Sequence, residues 1–293
     1  MKVITTPEEM QAISQQNKFE GKKIAVVPTM GFLHNGHLTL VKKAKEVADI
    51  VITTLFVNPK QFAPNEDFER YPRDFERDKK LLTESGCDYL FSPDISSIYP
   101  IDFATSISIG GVTKVFEGES RPTHFDGVAL VVLKLFNITL ADIGLFGQKD
   151  YQQTLVIKKL VKDLNLNIKL LITPTVREAN GLAMSSRNRY LTDEEKNKAS
   201  IIFLSLEEAK NAIAHGERRR KMINSVVIST LRSVPEIKID YVATVKSENL
   251  ELADEFLPGE EVVILIACFM NQTRLIDNTI IKIPTAFTEN FIE

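Results

Sequence analysis

The chain has 293 residues, 44% of them apolar, with 39 acidic against 36 basic side chains and a formal net charge of −3. That balance gives no global basic field for nucleic acid or anionic lipid, and two cysteines, Cys87 and Cys268, make neither a disulfide framework nor a cysteine metal site. The longest apolar runs, such as 262–270, fall far short of a membrane span, and the N-terminus meets Glu8 and Glu9 before any apolar signal core. The expectation is a soluble, cytoplasmic, globular protein with neither nucleic-acid nor membrane partner.

In chain order, residues 22–29 read as a buried strand, a short β-branched run closed by a proline. A helix follows over 36–49, where Leu38, Val41, Ala44, Val47 and Ala48 recur at helical spacing with Lys42, Lys43, Lys45 and Glu46 between them. The run 50–57 is a strand stopped by Asn58-Pro59. A polar helix over 73–85 closes at Gly86, and a third strand covers 87–91. A strongly apolar helix spans 125–137; strands at 142–146 and 167–172 flank a helix at 150–163. Strands alternating with helices predict a parallel sheet covered on both faces, a Rossmann-like α/β domain. Ligands in such sheets sit at the carboxyl ends of the strands. Segments 28–37, 57–73, 146–153 and 173–189 each follow a strand.

After Tyr190 the texture changes. Thr192 caps a helix with Glu194 and Glu195 in its first turn, which ends before Gly216. A second helix over 217–232 precedes strands at 237–245, 261–269 and 272–276. The division expected is an N-terminal domain over 1–184 and a smaller α+β domain over 185–293 with a loosely held tail. Arg218-Arg219-Arg220 reads as a solvated helix face.

Chemistry concentrates at Pro28-Thr29-Met30-Gly31-Phe32-Leu33-His34-Asn35-Gly36-His37. Gly31 and Gly36 allow a tight turn, and His34 and His37, three apart, share one side of it as the helix begins. A helix N-terminus suits phosphate, and two imidazoles there can donate to the oxygens of a reacting phosphate. A pair of exposed turn histidines, or half a metal site, fits the same spacing. Lys149, beside Gly147 at a strand end, can bring a point charge to phosphates, and Asp150 can contact the nucleotide or cap the next helix. Met184-Ser185-Ser186-Arg187 offers two hydroxyls and a guanidinium, suited to phosphates, although such a string also serves as a linker with capping serines.

The HxGH element after a first strand resembles the nucleotidylyl-transferring α/β superfamily that includes class I aminoacyl-tRNA synthetases. The fuller string 28–37 resembles the pantothenate synthetase (pantoate–β-alanine ligase) family. Other segments agree in order through residue 278: Phe56-Val57-Asn58-Pro59-Lys60-Gln61-Phe62 with Asn65-Glu66-Asp67 and Tyr71-Pro72-Arg73, 121–128, 146–153, 174–191 and 273–278. Gln148 departs from the family's usual Glu; a nucleotide contact through backbone would tolerate the change.

The resemblance implies ATP-driven condensation of pantoate with β-alanine through a pantoyl-adenylate, releasing AMP and pyrophosphate, in a homodimer. His34, His37, Lys149 and Arg187 carry the catalytic roles. Met30, Gly31, Gly147, Gln148, Asp150, Val176, Met184, Ser185 and Ser186 complete the ATP site, with Gly147 and Val176 offering backbone groups. Met184–Arg187 corresponds to the KMSKS loop of the synthetases. Gln61 and Gln153 hold pantoate, and Asn58 and Arg121 line the same cleft. Mg2+ accompanies the triphosphate, with no ligand named, and the second domain acts as a lid. Whether a histidine takes the amine proton of β-alanine or only stabilises charge at phosphorus stays open. The rival reading is another HxGH nucleotidyltransferase, such as a pantetheine-phosphate adenylyltransferase-like enzyme, which needs neither the lid nor 57–73.

Overall fold

Six short strands line up as one all-parallel sheet in the first of two units into which the chain divides, Met1–Val176 and Arg177–Glu293. The computed structural model describes residues 1–64 and 66–285; Asn65 and residues 286–293, the greater part of the tail expected over 284–293, lie outside the described residues. In the first unit the order along the chain is β1 (Lys2–Ile4), α1 (Pro7–Phe19), β2 (Ile24–Thr29), α2 (Asn35–Val47), β3 (Ile50–Leu55), α3 (Phe75–Glu84), β4 (Tyr89–Phe91), the short α4 (Ile95–Ile98) and α5 (Glu117–Ser120), α6 (His124–Thr139), β5 (Ile143–Gly147), α7 (Tyr151–Asp163) and β6 (Lys169–Thr173).

Across the sheet the order is β1-β4-β3-β2-β5-β6. The chain leaves β2 in one direction through β3 and β4, and in the other lie β5 and β6. The β2–β5 pair is therefore the topological switch point, where crossovers diverge and leave a crevice outside the strand ends. Alternation along β2 covers both faces. Ile24 and Val26 join a core cluster with Phe125, Val128 and Val156, while Ala25 and Val27 join another with Leu40, Val41 and Leu82.

The second unit holds α8 (Asp193–Ala199), α9 (Ile201–Ala214), α10 (Arg220–Leu231) and the antiparallel sheet β7 (Ile237–Lys246), β8 (Glu261–Met270) and β9 (Thr273–Lys282). Val262, Ile264, Ile266, Cys268 and Met270 pack in one cluster with Ile202, Leu206, Val227 and Leu231. The fold class is thus the expected one, a Rossmann-like parallel sheet followed by a small α+β unit.

Four details differ from the sequence reading. β1 and α1 were not anticipated, although Thr6 caps α1 by accepting from Glu9 N–H, with Pro7 in the first turn. The helix expected from Thr192 breaks at Ser200 into α8 and α9. β9 extends to Lys282, paired along its full length with β8. The chain divides after Val176 rather than Met184, because Arg177 bridges to Ala183 and bonds Asp277, both in the second unit. Among the described residues no helix is long and apolar enough to cross a membrane.

Candidate active site

Both sides of the switch point carry the segments singled out above. At the exit of β2, Gly31 (φ 84°) and Phe32 (φ 50°) turn the chain, and His34 becomes the N-cap of α2. The cap is reciprocal. His34 Nδ1 accepts from Gly36 N–H at 3.2 Å, and His37 Nδ1 accepts from His34 N–H at 3.3 Å. The two rings lie 4.1 Å apart, centroid to centroid. With each Nδ1 committed as an acceptor, the neutral imidazoles carry their protons on Nε2. Burial, together with the charge of Lys149 and, for His34, of His37 beside it, lowers His34 to about 2 and His37 to about 4. Near pH 7 the turn presents two neutral Nε2–H donors.

At the exit of β5, Gly147 leads into a 3-10 turn over Gln148–Asp150 and then α7. A Cβ on Gly147 would meet nothing within 4 Å, so this strand end faces open space. Lys149 Nζ lies 3.5 Å from the Asp150 carboxylate, and its charge reaches both histidines. Gln153 is half-buried in the first turn of α7, and its carboxamide has no hydrogen bond among the described residues.

Gln61 sits in a 3-10 turn after β3, held from several sides. Its Nε2 donates to Met30 Sδ at 2.8 Å, and its Oε1 accepts from Asn58 Nδ2 at 3.2 Å. Asn58 is 1% exposed and spends its remaining polar capacity on Gly127 O, Lys60 N–H and the Tyr99 hydroxyl. It lies behind Gln61 as a support. Arg121 forms a paired ion bridge with Glu66, both contacts 2.6 Å, and donates to Gln61 O. Burial works to raise the Glu66 carboxyl, but the Arg121 bonds and charge outweigh it and hold the group low. His124 Nδ1–H donates to the same carbonyl at 2.9 Å and its Nε2 accepts from Arg121. Burial and the Arg121 charge lower His124 to about 4. Gly127 touches this turn so closely that a Cβ would lie 2.1 Å from Lys60 O.

Sequence reasoning missed three supports. Asp78 of α3 binds the His34 turn from beneath, Gly127 seats the Gln61 turn, and Gln152 binds the backbone at Val112, Val115 and Glu117. Only Gly127 carried a signal, a glycine inside an apolar helix.

In the second unit, Ser185 caps a 3-10 turn over Ser186–Tyr190 by accepting from Arg187 N–H at 3.2 Å. Ser186 and Asn188 are buried, and Asn188 donates to Glu178 and to Ala183 O. Arg177, inside the 174–191 segment, is occupied by Asp277 and Gly181 O. Both cysteines are buried thiols, and burial pushes Cys268 up to about 12, so neither serves as a nucleophile.

The pantoate–β-alanine ligase family model matches residues 2–280. The chain belongs to this family. Pantothenate synthetase of Caldicellulosiruptor bescii is 47% identical, over 96% of this chain and 99% of its own length. That of Thermoanaerobacter pseudethanolicus is 50% identical over 91% and 93%. The crystal structure of pantothenate synthetase from Thermus thermophilus superposes with a TM-score of 0.89 at 40% identity, covering 95% of this chain and 99% of that one. The Francisella tularensis pantoate-β-alanine ligase, crystallised with β-γ ATP and β-alanine, gives 0.78 at 35% identity over 95% and 97%. The chain is therefore an ATP-dependent ligase.

The three depressed histidines set a pH dependence for this ligase. Between the ordinary value of 6.5 and folded values of about 2 and 4, the unfolded chain binds protons that the folded one does not. Stability present above that ordinary value is lost as pH falls through the window. Urea midpoints measured from about pH 7 down to about pH 5 are expected to fall steadily; a flat profile would contradict neutral folded histidines.

Proposed function

We propose that the ligase condenses pantoate with β-alanine, using ATP, through a pantoyl-adenylate, with release of AMP and diphosphate. The observation that carries this reading is the pair of neutral Nε2–H donors at the β2–β5 switch point, within reach of the Lys149 charge from the exit of β5. The Francisella relative's complex with β-γ ATP and β-alanine supports it.

In the first step a pantoate carboxylate attacks the α-phosphorus. Its ordinary pKa of about 4 leaves it ionised, so positioning and charge neutralisation matter and no base is needed. Gln61 and Gln153 are assigned to pantoate, because an amide both donates and accepts, as hydroxyls and a carboxylate require. His34 and His37 donate to the non-bridging oxygens where charge develops, and Lys149 neutralises the phosphates. Met30 and Gly31 line the turn; Gly147, Gln148, Asp150 and Val176 take the nucleoside side. Thr175 Oγ1, beside Val176, is buried without a hydrogen-bond partner among the described residues, an orphan that a nucleotide would satisfy. Met184, Ser185, Ser186 and Arg187 are assigned to the departing diphosphate on their sequence pattern.

In the second step the β-alanine amine, with an ordinary pKa of about 10, attacks the mixed anhydride after losing a proton. Both histidines hold Nδ1 in the helix cap and already carry a proton on Nε2, so we assign them as donors in both steps and not as that base.

Among the described residues no three of His, Cys, Asp and Glu converge as a metal cage. This fits Mg2+ carried by a triphosphate, which needs one or two carboxylates, and Asp150 is the half-exposed carboxylate at the exit of β5. When bound, the ion would neutralise phosphate charge. We assign a homodimer and a cytoplasmic location on the family likeness alone.

AMP release measured with ATP, pantoate and β-alanine, omitting each in turn, tests the reading. AMP should require all three for sustained turnover. Turnover without pantoate, on a phosphate-bearing acceptor, would favour the nucleotidyltransferase alternative. Gly127→Ala should push the 59–61 turn outward and raise KM for pantoate about tenfold or more, with KM for ATP little changed. Equal KM values in wild type and variant would remove Gln61 from the pantoate site.

A further inference from the structure

The HxGH turn is strained, and something outside it must hold it. Phe32, a residue with a Cβ, sits at φ 50°, directly after Gly31 at φ 84°. Bulky residues adopt such angles only where their surroundings impose them. Here the surroundings include a carboxylate that binds the backbone on both sides of the bend. Asp78, 1% exposed on α3, accepts from Phe32 N–H through Oδ2 at 2.6 Å and from Leu33 N–H through Oδ1 at 2.8 Å. Arg77 braces it, 3.2 Å from Oδ1, donates to Leu33 O at 2.9 Å and lies 4.9 Å over the Phe32 ring. Leu33 immediately precedes His34, whose own N–H fixes the His37 tautomer.

We infer that Asp78, braced by Arg77, is a positioning residue for adenylate formation: it holds the Phe32–Leu33 backbone so that His34 and His37 keep Nδ1 in the cap and aim Nε2–H outward. The carboxylate is 1% exposed, buried beneath the turn with its oxygens on the Phe32 and Leu33 N–H groups, and is not assigned a contact with the reacting atoms. It acts through the backbone on two side chains that are. Charge-assisted bonds to two consecutive N–H groups are the strong kind; when one oxygen becomes an amide nitrogen, one bond turns into a donor–donor clash and the other loses its charge assistance. The inference rests on the adenylate-forming reading, but its structural part can be measured separately.

Asp78→Asn keeps shape and volume while placing an N–H against a backbone N–H. It should lower pyrophosphate exchange about 100-fold, through kcat and not through KM for ATP. Two-bond 15N–1H spectra of the folded variant should show His34 and His37 as mixed tautomers, where the unsubstituted protein shows Nε2–H alone. Arg77→Met, at a partly exposed site, is the second variant should Asp78→Asn not fold, and it should shift the same imidazole signals in the same direction. Unchanged imidazole signals in a folded variant would overturn the inference, whatever happens to the rate. An unchanged rate would overturn it too. If the unsubstituted protein itself gave no exchange, the functional reading would fail, and the imidazole spectra would still decide whether Asp78 sets the tautomers.

Discussion

Replacing His37 by alanine is expected to lower adenylate formation by about 100- to 1000-fold in a protein that still folds. Two roles meet in this side chain. Nε2–H is one of two donors aimed at developing charge, and Nδ1 closes the N-cap of α2 by accepting from His34 N–H. The cap alone is worth about 1 kcal/mol, a small fraction of a domain's stability, whereas one lost donor in a preorganised site costs about 3–4 kcal/mol at the transition state. Rate and stability should therefore part company. Pyrophosphate exchange would fall by orders of magnitude while the thermal midpoint moves by only a few degrees. Lys149→Ala should act in the same direction with no effect on the cap. A folded His37→Ala protein exchanging at the wild-type rate would contradict the assignment.

Arg177→Ala should destabilise the second unit by about 3–5 kcal/mol. The Asp277 side chain is 2% exposed and bonded to Arg177 at 2.6 and 3.0 Å. Removing the guanidinium leaves a buried carboxylate uncompensated, and also removes the donor to Gly181 O and the cation over Phe203. Breaking one partner of such a pair is costly, whereas replacing both by apolar groups is often neutral. Urea unfolding should thus show a large loss for Arg177→Ala and substantial recovery for Arg177→Met with Asp277→Leu. A loss below about 1 kcal/mol would mean that the pair behaves like an exposed one.

These two cases mark what the sequence made legible. The central strands were readable because β2, β3 and β5 are buried on both faces and so run as largely apolar stretches. The Thr192 cap was readable because capping chemistry is local. α1 was not read: its buried positions are Met10, Ser14 and Asn17, so its hidden face carries little apolar periodicity, and only Thr6 and Pro7 announced it. His34, His37 and Lys149 were legible by motif, and the switch-point topology shows why they lie on neighbouring strand ends. Their tautomers were not, because a proton's location depends on hydrogen bonds that no spacing reports. Asp78 was invisible for a related reason. In sequence it is one more acid on a polar helix, and its partners are backbone N–H groups of a turn 45 and 46 residues away. Arg177 and Asn58 show the converse. Both stand inside motifs, yet their polar atoms face inward, to Asp277 for one and to Gln61 and Gly127 for the other.

The most direct measurement is a crystal structure of the ligase with a non-hydrolysable ATP analogue. The α-phosphate oxygens should lie within hydrogen-bond reach of Nε2 on both His34 and His37, with Lys149 against the outer phosphates. A nucleotide seated away from the β2 exit, or imidazoles turning Nδ1 toward the phosphate, would contradict the mechanism at its root.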